Sequence, residues 1–263
     1  MSKRNASILT GLLVSVSWAT WAQTSNTASI NQQNANNYCR IYFVTPKAGQ
    51  TQQYEAGRKK HAQFHRNQKD TFTYQAFSID TGDRAGSYVY STCGHALKDL
   101  DEWEARMGKA DAADAAMTMD PSTQSGSNGV YLYRADMSLG SLSGTPSPLT
   151  LVTVYHLHPG AAPEFIAAIK KVNDALSKQP DWPKTSGWLQ LVNGGEGPTF
   201  VLINGRKGWA DFTPTPKSVA DVLNETYGKE QADAIQKAIR DCTAHLYTEA
   251  STYRADLSYI AGK

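Results

Sequence analysis

His61 and His65 are four residues apart, and Arg58 lies three residues before the first of them. On a helix, that spacing sets all three side chains on one face. Two imidazoles beside a guanidinium suit proton transfer near neutral pH, polar contacts to a bound ligand, or ligation of a metal ion. His95, just after Cys93-Gly94, extends the set, and three protein ligands are what a catalytic zinc often takes. Two features count against a metal: no Glu completes a His-Glu-x-x-His pattern, and Arg58 would repel a cation. No metal is therefore expected. A metal-free polar pocket remains open, as does a rotated helix with Phe64 inward and both histidines in solvent. Arg58, His61, His65 and His95 are the pocket candidates, joined by Tyr88 and Tyr90, which alternation places on one side of a strand.

The elements that must hold these residues follow from hydrophobic period and turn signals. A strand at 40–44 is closed by Pro46 and Gly49, and a helix pattern runs over 50–67. Strand-like runs at 72–79 and 87–92 flank a Gly- and Asp-containing turn. Helical sequence covers 97–117, and Ser125-Gly126-Ser127-Asn128-Gly129 reads as a loop before a last strand at 130–136. The order repeats. A strand at 151–157 precedes a helix whose Phe165, Ile169, Val172 and Leu176 form an apolar stripe. Strands at 188–192 and 199–203 follow, then helical sequence over 218–252, broken near Gly228 and carrying His245.

Internal similarity supports that reading. Tyr133-Arg134-Ala135-Asp136-Met137-Ser138 returns as Tyr253-Arg254-Ala255-Asp256-Leu257-Ser258, and Gly108-Lys109 returns at the same displacement as Gly228-Lys229. A shared displacement argues for a duplicated unit. With Lys59-Lys60 set on Lys170-Lys171, Arg58 falls on Ile169, His61 on Val172 and His65 on Leu176. The second helix is an ordinary apolar stripe where the first carries polar groups. Burying such groups unpaired costs several kcal/mol, so they must be paired, hydrated or set against a cavity. The shared Tyr-Arg-Ala-Asp is expected to tie strand ends or the seam between copies.

The β-α-β-β-α-β order is the ferredoxin-like split motif. With its strand-Pro-Gly-helix starts (Thr45 to Gln50, His158 to Phe165) and its two hairpins, the chain resembles the dimeric α/β-barrel superfamily, including antibiotic-biosynthesis monooxygenase and NIPSNAP-like families. The fold class expected is α+β, two tandem ferredoxin-like repeats packed sheet to sheet as an intramolecular barrel. The boundaries are 38–138 for the first repeat, 139–148 for a Gly-, Ser- and Pro-rich linker, and 149–260 for the second. The resemblance implies a ligand pocket between the helices and sheet of one unit. It also implies that Cys39 and Cys93, on neighbouring antiparallel strands, are placed to form a disulfide, leaving Cys242 over.

The ends and composition bound the rest. Lys3 and Arg4, an apolar run from Ile8 to Trp18 and the small residues before Gln23 read as a signal peptide over 1–22. A polar leader follows over 23–37. The expected location is periplasmic or secreted. A formal charge of +2 with scattered basic residues shows no nucleic-acid footprint. The Gly194-Gly195-Glu196-Gly197 cluster lies in a hairpin, the wrong setting for phosphate. The main expectation is a monomeric pseudo-dimer, with no membrane span after signal cleavage, binding a small apolar or aromatic molecule in the helix–sheet cleft of the first repeat. No cofactor is expected. A cofactor-independent monooxygenase-like or haem-handling enzyme, or a non-catalytic structural envelope protein, are the alternatives.

Overall fold

The computed structural model describes residues 36–141, 144–213 and 217–262. The segment read as a signal peptide and nearly all of the leader lie outside them. No helix among the described residues is long and apolar enough to cross a membrane.

The elements are β1 (Tyr38–Pro46), α1 (Thr51–Asn67), β2 (Gln75–Ile79), β3 (Tyr88–His95), α2 (Leu97–Trp103), α3 (Lys109–Thr118) and β4 (Thr123–Tyr133). There follow β5 (Leu149–Leu157), α4 (Ala162–Ser177), β6 (Ser186–Asn193), β7 (Thr199–Arg206), α5 (Val219–Tyr227), α6 (Lys229–Cys242) and β8 (Thr243–Tyr253). All eight strands pair antiparallel in one closed barrel, ordered β1-β3-β2-β8-β5-β7-β6-β4. The halves meet edge to edge as well as across the lumen. β2 joins β8 through Phe77 opposite Tyr253, and β4 joins β6 through Tyr131 opposite Leu191. Closure gives every strand edge a partner, which two sheets merely stacked face to face would leave open.

Two stretches differ from the sequence reading. Ser125 to Gly129 belong to β4, because the long β1 supplies a ladder partner for each, such as Phe43 for Ser127. Local turn propensity is a weak prior against a complete set of backbone bonds. The second-half helix stops at Cys242, and His245 lies on β8 opposite His156 rather than in a helix. The ladder of β8 to β5, which runs from Leu149 opposite Thr252 to Leu157 opposite Thr243, makes it a strand.

The seams are bound twice by one device. Arg134 and Arg254 each fork onto the aspartate two residues on, at 2.8 Å and 2.8 Å for Asp136, and 2.9 Å and 3.0 Å for Asp256. Each aspartate also takes a lysine of the opposite half, Lys170 at 2.7 Å and Lys59 at 3.0 Å. Ser138 and Ser258 donate to the carbonyls of Arg134 and Arg254, and their oxygens accept from the backbone of Trp188 and Ala76 across the seam.

Cys39 and Cys93 are register partners on β1 and β3, and their sulfurs are bonded at 2.09 Å. Cys242 is buried against Phe165 and Trp188, and burial raises its thiol above the usual range.

Candidate functional site

The sheet side of α1 carries the polar residues that alignment of the halves singles out. Arg58, His61 and His65 are all buried, His65 to 1% exposure. The rotated-helix alternative therefore does not hold, and Phe64 is the half-buried residue. These groups are buried because each has partners that sequence spacing does not display.

His61 Nδ1 donates to Asp114 Oδ1 at 2.7 Å, and His65 Nδ1 donates to Asp70 Oδ2 at 2.9 Å. The carboxylates can only accept, so both protons are held on Nδ1. The two Nε2 atoms face each other at 3.2 Å, and Asp111 Oδ1 lies 3.3 Å from that of His61 and 3.4 Å from that of His65. That Asp111 oxygen is buried and accepts no hydrogen bond. Asp70 also accepts from Trp103 Nε1 at 3.1 Å and from the Phe72 amide at 3.2 Å. Burial alone would raise its pKa, but the bonds from His65, Trp103 and Phe72 outweigh that and hold the carboxyl below its usual range. Desolvation is the leading cause that lowers the His65 pKa, against the bond to Asp70 that raises it.

A short π-helical turn, Glu104–Gly108, joins α2 to α3. Such single-turn bulges re-aim the helix that follows them. Here α3 lies against α1 with Asp111 and Asp114, three apart on one face, toward the two imidazoles. Arg106 within the bulge reaches Asp70 and Thr71.

Arg58 points elsewhere. Its Nε donates to the Leu257 carbonyl at 3.0 Å, and its guanidinium sits 4.4 Å over the Tyr90 ring. Tyr54 donates to Tyr90 at 2.9 Å, and Tyr88 donates to Glu55 at 2.5 Å. Burial leads the upward shift of Tyr90 to about 12. Tyr88 and Tyr90 therefore face the helices and not the barrel lumen. His95 stays out of the α1 cluster. Its ring stacks on Phe72 at 3.8 Å, and its Nε2 pairs with Thr92 Oγ1 at 2.6 Å.

The space between α1 and the sheet is thus filled by its own side chains, and of the six candidates His95 borders an opening, a surface pocket beside α2 with Phe72, Asp99 and Trp103. Tyr54, Ala76, Tyr88, Tyr90 and Leu257 pack as one cluster, and Ala62, Phe72, Tyr74, Trp103, Met107 and Tyr259 as another. The apolar space lies inside the barrel instead, in a cavity of about 240 Å³. Phe43, Phe77, Leu191 and Val201 line it, with Arg84, His156, Glu196, Glu249 and Ser251 among its polar members. None of the six candidate pocket residues lines this cavity; Ile41, Phe43 and Val89, on the other faces of β1 and β3, do.

Asp70, Asp111 and Asp114 were missed by sequence reasoning. The signal was present in part: Asp111-Ala112-Ala113-Asp114 carries two acids on one face of an Ala-rich helix. Which other helix they meet is a matter of tertiary packing.

The sequence matches no family model and no curated protein. Solved structures do share its fold. An anthrone oxidase-like protein superposes with a TM-score of 0.55 at 14% identity, covering 87% of this chain and 94% of that one. A protein from Lactobacillus acidophilus provisionally named a monooxygenase gives 0.53 at 8%, covering 86% and 97%. One provisionally named a chlorite dismutase gives 0.50 at 10%, covering 84% and 96%. These likenesses show a shared fold, an α+β architecture built on a closed antiparallel barrel.

Haem, which the resemblance raised, does not fit the residues present. The faces of His65 are covered by Tyr74 and Tyr259, at 4.7 Å and 5.4 Å between ring centres, and its Nε2 is turned to His61 and Asp111. The equivalent face of the second half is closed by Met137, Phe165, Ile169, Trp188 and Phe200. Neither leaves a slot for a macrocycle.

Proposed function

We propose that this chain is an exported α/β-barrel protein that binds a small, mainly apolar molecule in the barrel lumen. The observation that carries this reading is the lumen cavity itself. Most of its exposed wall area is apolar, with polar groups such as Arg84, His156, Glu196 and Glu249 set into it, as in small-molecule sites. Arg84 donates twice to Glu249, at 3.1 Å and 2.7 Å, and its guanidinium lies 4.4 Å over Phe43. Ser251 Oγ, buried in the lumen wall, has no hydrogen-bond partner among the described residues, and a ligand's polar atom would satisfy it. The wall at the Gly195, Glu196 and Thr199 end includes the loop of the β6–β7 hairpin.

We read the two halves as a duplication, on the strength of the matching Arg-Ala-Asp turns and their lysine partners. The chain is then a pseudo-dimer that needs no second copy to close its barrel. Export fits the basic, apolar and small-residue order over 1–22, and a bonded Cys39–Cys93 pair fits an oxidising compartment.

The test is equilibrium titration of the mature protein with an apolar fluorophore such as anilinonaphthalene sulfonate. One saturable site is expected, abolished when Val201→Trp fills the lumen and weakened by Ser251→Leu, each with an unchanged far-UV spectrum. Saturable binding that survives both substitutions, or none in the unaltered protein, would refute the reading.

A further inference from the structure

The cluster on α1 is a different place with a different chemistry. Three atoms meet there: His61 Nε2, His65 Nε2 and Asp111 Oδ1, with mutual separations of 3.2 Å, 3.3 Å and 3.4 Å. With both Nδ1 atoms bonded to Asp114 and Asp70, the Nε2 atom of each imidazole in its neutral form is an acceptor, as is the carboxylate oxygen. Three acceptors set this close need something positive between them, a shared proton or a cation.

We propose that His61, His65 and Asp111 bind one divalent transition-metal ion, zinc by preference, with a fourth position left for water or a ligand. A tetrahedral ion with bonds of about 2.0–2.1 Å holds its ligand atoms about 3.3–3.4 Å apart. A facial octahedral set at about 2.1 Å holds them nearer about 3.0 Å. The observed triangle matches the tetrahedral spacing. Nitrogen and carboxylate donors with no thiolate suit zinc's borderline character.

The surroundings are those of a metal site. Each histidine donates its far nitrogen to a carboxylate, the arrangement that fixes the tautomer and raises the basicity of a ligating imidazole. Asp70 is itself anchored by Trp103 and the Phe72 amide, so the His65 ring cannot swing. Asp111 Oδ1 is buried with no donor to satisfy it, a state that coordination would relieve.

The two reasons for expecting no metal weaken. The third ligand comes from α3 and not from a motif on α1, so no His-Glu-x-x-His pattern is needed. Arg58 keeps its charge but turns toward the Leu257 carbonyl and the Tyr90 ring, and the carboxylates of Asp70, Asp111 and Asp114 around the imidazoles offset it. The second half, with Ile169, Val172 and Leu176 at the matching places, has nothing to offer an ion. The site belongs to the first half.

The test uses the full mature chain without a polyhistidine tag. Metal content is measured by mass spectrometry as purified, and zinc, then ferrous iron, is titrated calorimetrically into chelator-treated protein. One zinc per chain is expected, bound in preference to iron. Asp111→Asn and His61→Gln should each weaken zinc binding by at least about 100-fold, and Asp114→Ala by about 10–100-fold. Asp111 is partly exposed, so its variant reports binding even where a histidine variant fails to fold, and far-UV spectra check this. Cobalt(II) in place of zinc should show the intense visible absorption of a tetrahedral centre, lost in Asp111→Asn. No stoichiometric zinc binding, or binding that Asp111→Asn leaves unchanged, overturns the proposal, and a preference for iron overturns the assignment of zinc.

Discussion

Gly57 of α1 lies directly against the carbonyl of Thr118 at the end of α3, so close that a Cβ at Gly57 would collide with that oxygen. This contact sets how near α3 can come to α1. It thereby sets whether Asp111 and Asp114 reach the two imidazoles.

Gly57→Ala is therefore expected to destabilise the fold, although alanine is the better helix former. Overpacking of a tight contact costs about 1–3 kcal/mol, more than the propensity gain of about 1 kcal/mol. Urea unfolding followed by circular dichroism measures it. An unchanged midpoint would show that α1 and α3 part without loss.

His65→Leu replaces a polar residue by the apolar one found at the matching place in the second half, yet it should destabilise. It leaves Asp70 buried without its imidazole, and an unsatisfied buried partner costs about 1–3 kcal/mol. Adding Asp70→Asn removes the stranded charge and should recover part of the loss. If His65→Leu alone is neutral in equilibrium unfolding, the aspartate does not depend on the histidine.

Acid should weaken the seams. The Arg254 fork, followed by Lys59, lowers Asp256 from an ordinary 3.8 to about 2, and the Arg134 fork lowers Asp136 in the same way. A carboxyl with a depressed folded pKa stabilises above its unfolded value, and that stability is lost as pH falls through the folded value. Melting temperature should therefore drop between about pH 4 and pH 2, and the double variant Asp136→Asn/Asp256→Asn should show a shallower drop. These pairs are partly exposed, so salt should reduce the effect. An identical acid profile in the variant would remove the seam from the account.

Reduction of the Cys39–Cys93 bond, which spans 54 residues, should cost about 4 kcal/mol in the loop-entropy description. The barrel should still form, because β1 keeps its ladders to β3 and β4. Guanidinium unfolding with and without reductant gives the difference, and Cys93→Ala should reproduce the reduced value. Equal midpoints would show that the bridge does not constrain the unfolded chain.

Most of the element order was legible because strands and helices announce themselves by period. The apolar stripe of Phe165, Ile169, Val172 and Leu176 could only be a helix, and the recurrence of Tyr-Arg-Ala-Asp marked equivalent strand ends. What periodicity handled badly was pairing over distance. Ser125 to Gly129 look like a loop until β1 is present to bond them, and His245 looks helical until His156 lies opposite.

The candidate site divides in the same way. Comparing Arg58, His61 and His65 with Ile169, Val172 and Leu176 located the helix face that differs, since residues on one helix share a face whatever surrounds them. It could not supply Asp70, Asp111 and Asp114, nor exclude His95, Tyr88 and Tyr90. Those depend on the angle at which α3 leaves the Glu104–Gly108 bulge and on the close approach at Gly57. Local pattern, carried by bonds within one element, determined which residues would be neighbours along the chain. Only packing between elements decided that His61, His65 and Asp111 come together, and that the apolar cavity lies in the lumen and not under α1.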